Sequence, residues 1–217
     1  MGSQGLARFA PLTGVAAVIL WVVGVIVAES DTPADDAPGT ELATYYANHD
    51  GKIFVGAGLF CLGSALFIWF LSSLAAHFRS AGDDGRLATV MVSGGVATAA
   101  AIALVTAPPV AGALADENSD RALSPEAAET LWVLGDGFFV VAELLAVALL
   151  GAAALMILRT RAFPAWFGYV TGLFAVGLLI LPVGWAFLVW GVPLWTLVTS
   201  VWIFLRGRQA VPAADPR

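Results

Sequence analysis

Six apolar stretches, near residues 11–28, 53–77, 87–108, 130–158, 164–182 and 186–205, are separated by polar segments that hold nearly all the charge. An α-helix of about 20 residues crosses a hydrocarbon layer roughly 30 Å thick, and these stretches suit that length. They are too long and continuous for barrel strands. Backbone groups in lipid find no water to bond, so each stretch is expected to be an α-helix. The pattern predicts an all-α, polytopic integral membrane protein: a six-transmembrane-helix bundle forming a single transmembrane helical domain over 1–217. The last two stretches share one apolar run, Pro164 to Leu205, divided by Pro182 and Gly184. Pro193 leaves two expectations open for the final helix, a kink or a short re-entrant segment, because proline removes a backbone donor.

Charge then adds a direction. Eight of the ten basic residues (Arg8, Arg79, Arg86, Arg159, Arg161, Arg206, Arg208, Arg217) fall at the termini or in the even-numbered loops, and two (Lys52, Arg121) in the odd-numbered loops. Basic residues near helix ends stay in the cytoplasm, so both the N- and C-termini are expected to be cytoplasmic. Eleven of the carboxylates, from Glu29 and Asp31 to Glu129, then lie outside, while Asp83, Asp84 and Asp215 lie inside. Asp136 and Glu143 are left at or within the membrane. At 59% hydrophobic and 12% charged, with a mean hydropathy of +0.87, the chain lies well outside the soluble range. The net charge of −6 sits mostly in two outer loops. The first stretch could imitate a signal peptide, but it exceeds the usual apolar length of one and is expected to be a retained span.

Local signals give the loops some shape. After the turn-rich run Asp31 to Gly39, Thr40 can cap a short helix whose positive end Glu41 favours, with Tyr45 and Tyr46 expected at the headgroup level. Ser124-Pro125-Glu126 reads as cap, first-position proline and first-turn acid. The fourth helix should therefore start before the membrane and run from about Pro125 to Leu158. Small residues at i, i+4 spacing allow close helix approach in lipid. Gly95, Ala99 and Ala103, beside Ser93, Ala97 and Ala101, mark the third helix as central, and Gly168 and Gly172 form a GxxxG in the fifth, for internal packing or dimerisation.

The strongest candidate for chemistry is Glu143, in Phe138-Phe-Val-Val-Ala-Glu-Leu-Leu-Ala-Val, with no basic residue within seven positions on either side. A carboxylate in hydrocarbon is costly, so it should face a cavity or a partner, or carry a proton. Asp136, seven residues earlier, shares its helical face and lies nearer the outer interface. Together they suggest a polar track from outside for a proton, a cation or an amine-bearing ligand. The structural alternative is a protonated Glu143 bonded to Thr98, Ser93 or Thr171. Trp185, Trp190 and Trp195 crowd the last hairpin, either as interfacial anchors or as an aromatic cage. His77 suits a helix C-terminus, His49 lacks metal-ligand spacing, and Asp31 to Asp36 lacks that of a calcium loop. Cys61 reads as a packing residue. No metal site or cofactor is implied, and no catalytic motif is present.

The segments Tyr45-Tyr-Ala-Asn-His-Asp-Gly-Lys, Phe70-Leu-Ser-Ser-Leu-Ala-Ala-His-Phe-Arg and Leu158-Arg-Thr-Arg-Ala-Phe-Pro-Ala-Trp-Phe-Gly-Tyr resemble uncharacterised actinobacterial multi-span membrane proteins related to a bacterial domain-of-unknown-function family. The resemblance implies a helical multi-span fold and an inner (plasma) membrane address, and no activity. Two functional expectations follow from the residues: binding or transport of a small ligand, cation or proton at Glu143 and Asp136, or a non-catalytic scaffold acting through helix contacts. An enzyme using the two acids is a third. The expected partners are the lipid bilayer and a possible homo-oligomer, with no nucleic acid.

Overall fold

A computed structural model of the chain describes residues 9–118 and 123–209. The charges of Arg8, Asp120, Arg121, Asp215 and Arg217 lie outside the described residues, and those of Glu29, Asp116, Glu117 and Arg208 outside the described side chains. All regular structure among the described residues is helical: α1 (Thr13–Glu29), α2 (Gly39–Asn48), α3 (Asp50–Ser80), α4 (Arg86–Val105), α5 (Ala107–Asn118), α6 (Pro125–Thr160), α7 (Ala165–Gly177), α8 (Leu181–Ala186) and α9 (Val192–Gln209). A 3-10 turn, Ala10–Leu12, leads into α1, and a π turn, Phe187–Gly191, joins α8 to α9.

Among the described residues five helical runs are long and apolar enough to cross a membrane: Ala10–Ala28, Asp50–Ser80, Arg86–Ala115, Pro125–Thr160 and Leu181–Arg206. The remaining apolar helix, α7, has 13 residues and spans roughly 20 Å at 1.5 Å per residue. It is therefore shorter than the stretch 164–182 suggested, and the chain turns at Leu178 to Ile180 before α8. Large apolar side chains such as Ile19, Trp69, Leu155, Tyr169 and Leu173 are exposed around the bundle. Water-soluble monomers do not carry apolar surface on that scale.

Glycine sets the tightest crossing. A methyl on Gly94 of α4 would stand 2.8 Å from the backbone nitrogen of Leu149 and 2.9 Å from the Ala148 methyl on α6. On the next residue, Gly95 abuts Leu71 of α3 and Leu149, so α4 is held between α3 and α6. Ala99 is fully buried on the same face. Ser93 is exposed and does not join it. In α7, Gly168 gives way to Leu158 and Ile157 of α6, where a methyl would come within 2.9 Å and 3.0 Å. The same methyl at Gly172 would touch Ala154 at an ordinary 3.7 Å. The GxxxG face thus packs within the chain.

The two ends of the bundle differ. At one, the C-terminus of α3, the α6–α7 connection and the C-terminus of α9 gather through aromatic rings: His77 on Phe163 (5.3 Å), Phe163 on Trp202 (5.9 Å) and the Arg206 guanidinium over Trp202 (4.6 Å). Arg79, Arg86, Arg159, Arg161 and Arg206 belong to helix ends on this side. At the other end, α2 lies across α5 and α6 over a second apolar cluster of Leu42, Tyr45, Tyr46, Ile53, Ala113 and Ala128. Here the structure corrects three sequence expectations. Thr40 does not cap α2; the Gly39 N–H instead donates to Glu129 Oε1 of α6 at 2.9 Å, a cap supplied from ninety residues away. Tyr46 is 1% exposed and packs on Gly112, so it belongs to the cluster rather than to the headgroups. The third stretch, expected over 87–108, does not end there: the helical run continues to Ala115, because Pro108 and Pro109 fall in the first turn of α5, where a missing donor would be unpaired anyway.

Candidate functional site

Helix α6 positions both acids. Ser124 Oγ accepts from the Ala127 N–H at 3.2 Å and fixes the start of α6 beyond the apolar core. The helix then runs for 36 residues, about 54 Å, to Thr160. Asp136 lies three turns in, where α6 passes beneath the α2 lid.

There the helices α1, α3, α4 and α6 part, and the lid closes over a cavity of about 530 Å³. Its walls carry two carboxylates, Asp136 and Asp35, and four aromatic rings, Phe60, Tyr45, Tyr46 and Trp132. Ile53, Val105 and Leu131 are among the apolar lining, Thr32 and Thr106 supply hydroxyls, and among the described residues no basic side chain lines it. Trp132 stands one helical turn before Asp136, so indole and carboxylate share a face of α6. Tyr45 donates its hydroxyl to the Ala28 carbonyl at 3.1 Å, tying the lid to the end of α1, and stacks on His49 at 5.0 Å. Burial of Tyr46 under the lid pushes its hydroxyl up to about 12. Outside the cavity, Lys52 pairs with Asp31. The hydrogen bond and charge of that ammonium hold the Asp31 carboxyl below the usual carboxylate range.

Glu143 does not line this cavity. It is 2% exposed, two turns deeper, and its carboxyl turns toward Gly184 of α8, where a methyl would sit 2.9 Å from Oε2. The hydroxyls proposed as its partners are committed elsewhere. Thr98 donates to Gly94 O at 2.8 Å, and Thr171 donates to Phe167 O at 2.8 Å while accepting from Trp195 Nε1 at 3.1 Å. Ser93 is exposed. One face of one helix thus serves two separate surroundings rather than a single track.

The three tryptophans are not brought together. Trp195 is buried against Phe70 and Thr171, whereas Trp185 and Trp190 are 52% and 69% exposed. Five-residue spacing turns successive side chains by about 140° on an α-helix, which is the geometric reason. Ahead of Pro193 the chain widens into the π turn Phe187–Gly191, and the helical run continues through the proline. Cys61 is exposed rather than packed. Among the described residues no three His, Cys, Asp or Glu side chains are grouped to hold a metal.

The sequence left Asp35 in a turn-rich run without ligand spacing and the lid tyrosines at the headgroups, and so did not point to either as cavity lining. Trp132 was legible as a neighbour of Asp136 from its i, i+4 spacing. Gly184 was read as a span divider, not as the residue that makes room for Glu143.

No protein-family model matches the chain, and neither a curated protein nor a solved structure does.

Proposed function

We propose that this chain is a multi-pass protein of the inner (plasma) membrane that binds a small organic cation from the outer side, in the cavity beneath α2. The observation that carries the reading is the lining: two carboxylates and four aromatic rings, with no basic residue among the described residues. A carboxylate supplies charge complementarity, and aromatic faces attract a cation that has shed water. A mostly apolar cavity with a few convergent polar groups is the usual form of a small-molecule site. The ligand class is therefore an amine or quaternary ammonium joined to an apolar body.

The membrane placement rests on charge. Five arginines collect at one end of the bundle, where Asp83 and Asp84 are the carboxylates among the described residues, which supports cytoplasmic termini under the positive-inside rule. Six crossings then require α7 and the α8 turn to carry the chain outward together. The alternative, a scaffold built on the GxxxG face, has less support, because Gly168 is already occupied by Leu158 and Ile157.

The test is calorimetric titration of the nanodisc-embedded protein with benzyltrimethylammonium and with its uncharged carbon isostere. The reading expects the charged probe to bind at least tenfold more tightly, about 1.4 kcal/mol. Equal affinity for the two would overturn it.

A further inference from the structure

The break between α7 and α8 surrounds Glu143 in a way that the outer cavity does not explain. In a continuous helix the Leu178 carbonyl would accept from the N–H four residues later, but that residue is Pro182, which has none. Neighbouring N–H groups do not replace it: those of Val183 and Gly184 both donate to Ile180 O, at 2.9 Å and 2.8 Å. The Leu178 oxygen is thereby left free of backbone donors among the described residues. Gly184, having no side chain, opens the space beside it. A methyl there would stand 3.2 Å from Leu178 O and 2.9 Å from Glu143 Oε2, so the carbonyl and the carboxyl converge on one small volume. Glu143 makes no hydrogen bond or ion pair with any described residue. Two unpaired oxygen acceptors bordering one small volume in an apolar interior are unfavourable unless a proton or cation joins them.

We infer that Glu143 is a proton-binding site, in which the carboxylic acid O–H donates to the Leu178 carbonyl that Pro182 leaves unpaired. The hairpin of α7, α8 and α9, which brings Gly184 to Glu143, is free of competing charge up to Leu205. Residues 165–205 of α7, α8, the π turn and α9 contain no Asp, Glu, Lys, Arg or His, and Tyr169, their one phenol, is exposed. On α4 the one ionisable residue is Arg86, at the far end. On α6 itself the nearest is Asp136, two turns away in the cavity wall. With no base to take the proton in place, its release leaves carboxylate against carbonyl and must displace the Leu178–Gly184 turn. In that turn the Leu179 and Ile180 N–H groups reach back only three residues, to Val176 O and Gly177 O, and broken helices at membrane depth commonly form ion sites.

Infrared spectroscopy of the nanodisc-embedded protein tests this without any ligand. At neutral pH the wild type should show the C=O stretch of a protonated, hydrogen-bonded carboxylic acid, and Glu143→Gln should remove it while Asp136→Asn retains it. Should Glu143→Gln fail to fold, Pro182→Ala gives an independent reading. Restoring a backbone N–H to Leu178 competes for the carbonyl and should move the acid band toward the frequency of an unbonded acid. Absence of the band in the wild type, its survival in Glu143→Gln, or an unmoved band in Pro182→Ala would each overturn the inference. None of these outcomes depends on the organic-cation site, so the two readings fail separately.

Discussion

Asp136 and Glu143 share one face of α6, two turns apart, and meet opposite surroundings. Asp136 looks into a cavity with a second carboxylate, aromatic rings and a lid at the acidic end of the bundle. Glu143 is sealed against Gly184 and a broken turn, with backbone oxygen as its neighbour. The same residue class on the same helix therefore offers two different kinds of chemistry. On the two proposed readings, one presents charge to a ligand that can enter, and the other holds a proton in an apolar interior. The difference comes from what the other helices bring: α2 and α3 contribute side chains to the first, whereas the α7–α8 hairpin contributes main chain to the second.

Perturbations confined to one site sharpen this contrast. The largest effect is expected from Gly94→Val, which drives a side chain into the backbone of α6 at Ala148 and Leu149, beyond Glu143 from the cavity. Overpacking of this kind costs about 1–3 kcal/mol or more, so thermal melting in detergent should fall sharply, and an unchanged melting temperature would contradict the close α4–α6 crossing. Gly172→Val is the matched control, with little expected loss because Ala154 is at ordinary contact distance. Next is Trp132→Ala, which removes a ring beside Asp136. It should weaken the charged probe by up to roughly thirtyfold, about 2 kcal/mol for a desolvated cation, and leave the infrared acid band in place. A change in that band would join the two sites and break the distinction.

A smaller effect belongs to the lid. Tyr46 holds its proton more tightly folded than unfolded, since burial raises it from 10.0 to about 12. Its contribution to stability is therefore complete below pH 10 and is lost as pH rises from 10 toward 12. Tyr46→Phe should flatten the pH dependence of melting in that window, and an identical profile would contradict the buried phenol. The smallest effect is at Asp31→Asn, where an exposed pair with Lys52 is lost. Melting should barely change and should lose a weak dependence on salt.

Parts of this arrangement were legible in the sequence for clear reasons. Ser124 and Pro125 act within one turn of chain, so the start of α6 could be read locally, and the seven-residue spacing placed both acids on one face. What those acids would meet was not legible, because it depends on tertiary contacts. The Gly39–Glu129 cap joins residues ninety apart, and Tyr46 is buried by α5, a helix that a proline pair concealed. The 164–182 stretch was overextended for a related cause: hydropathy continues through Leu178 to Leu181 while the backbone has already turned. Asp35 looked solvated because the lid that brings it to the cavity leaves no mark in its own neighbourhood.

The most direct measurement is the affinity of benzyltrimethylammonium for the nanodisc-embedded protein carrying Asp136→Asn, beside Glu143→Gln in the same lipid. The separation of the two sites predicts at least a tenfold loss for Asp136→Asn, about 1.4 kcal/mol, and wild-type affinity for Glu143→Gln. A loss that follows Glu143 instead, or affects both variants equally, would mean that the two acids work as one site and would contradict the account.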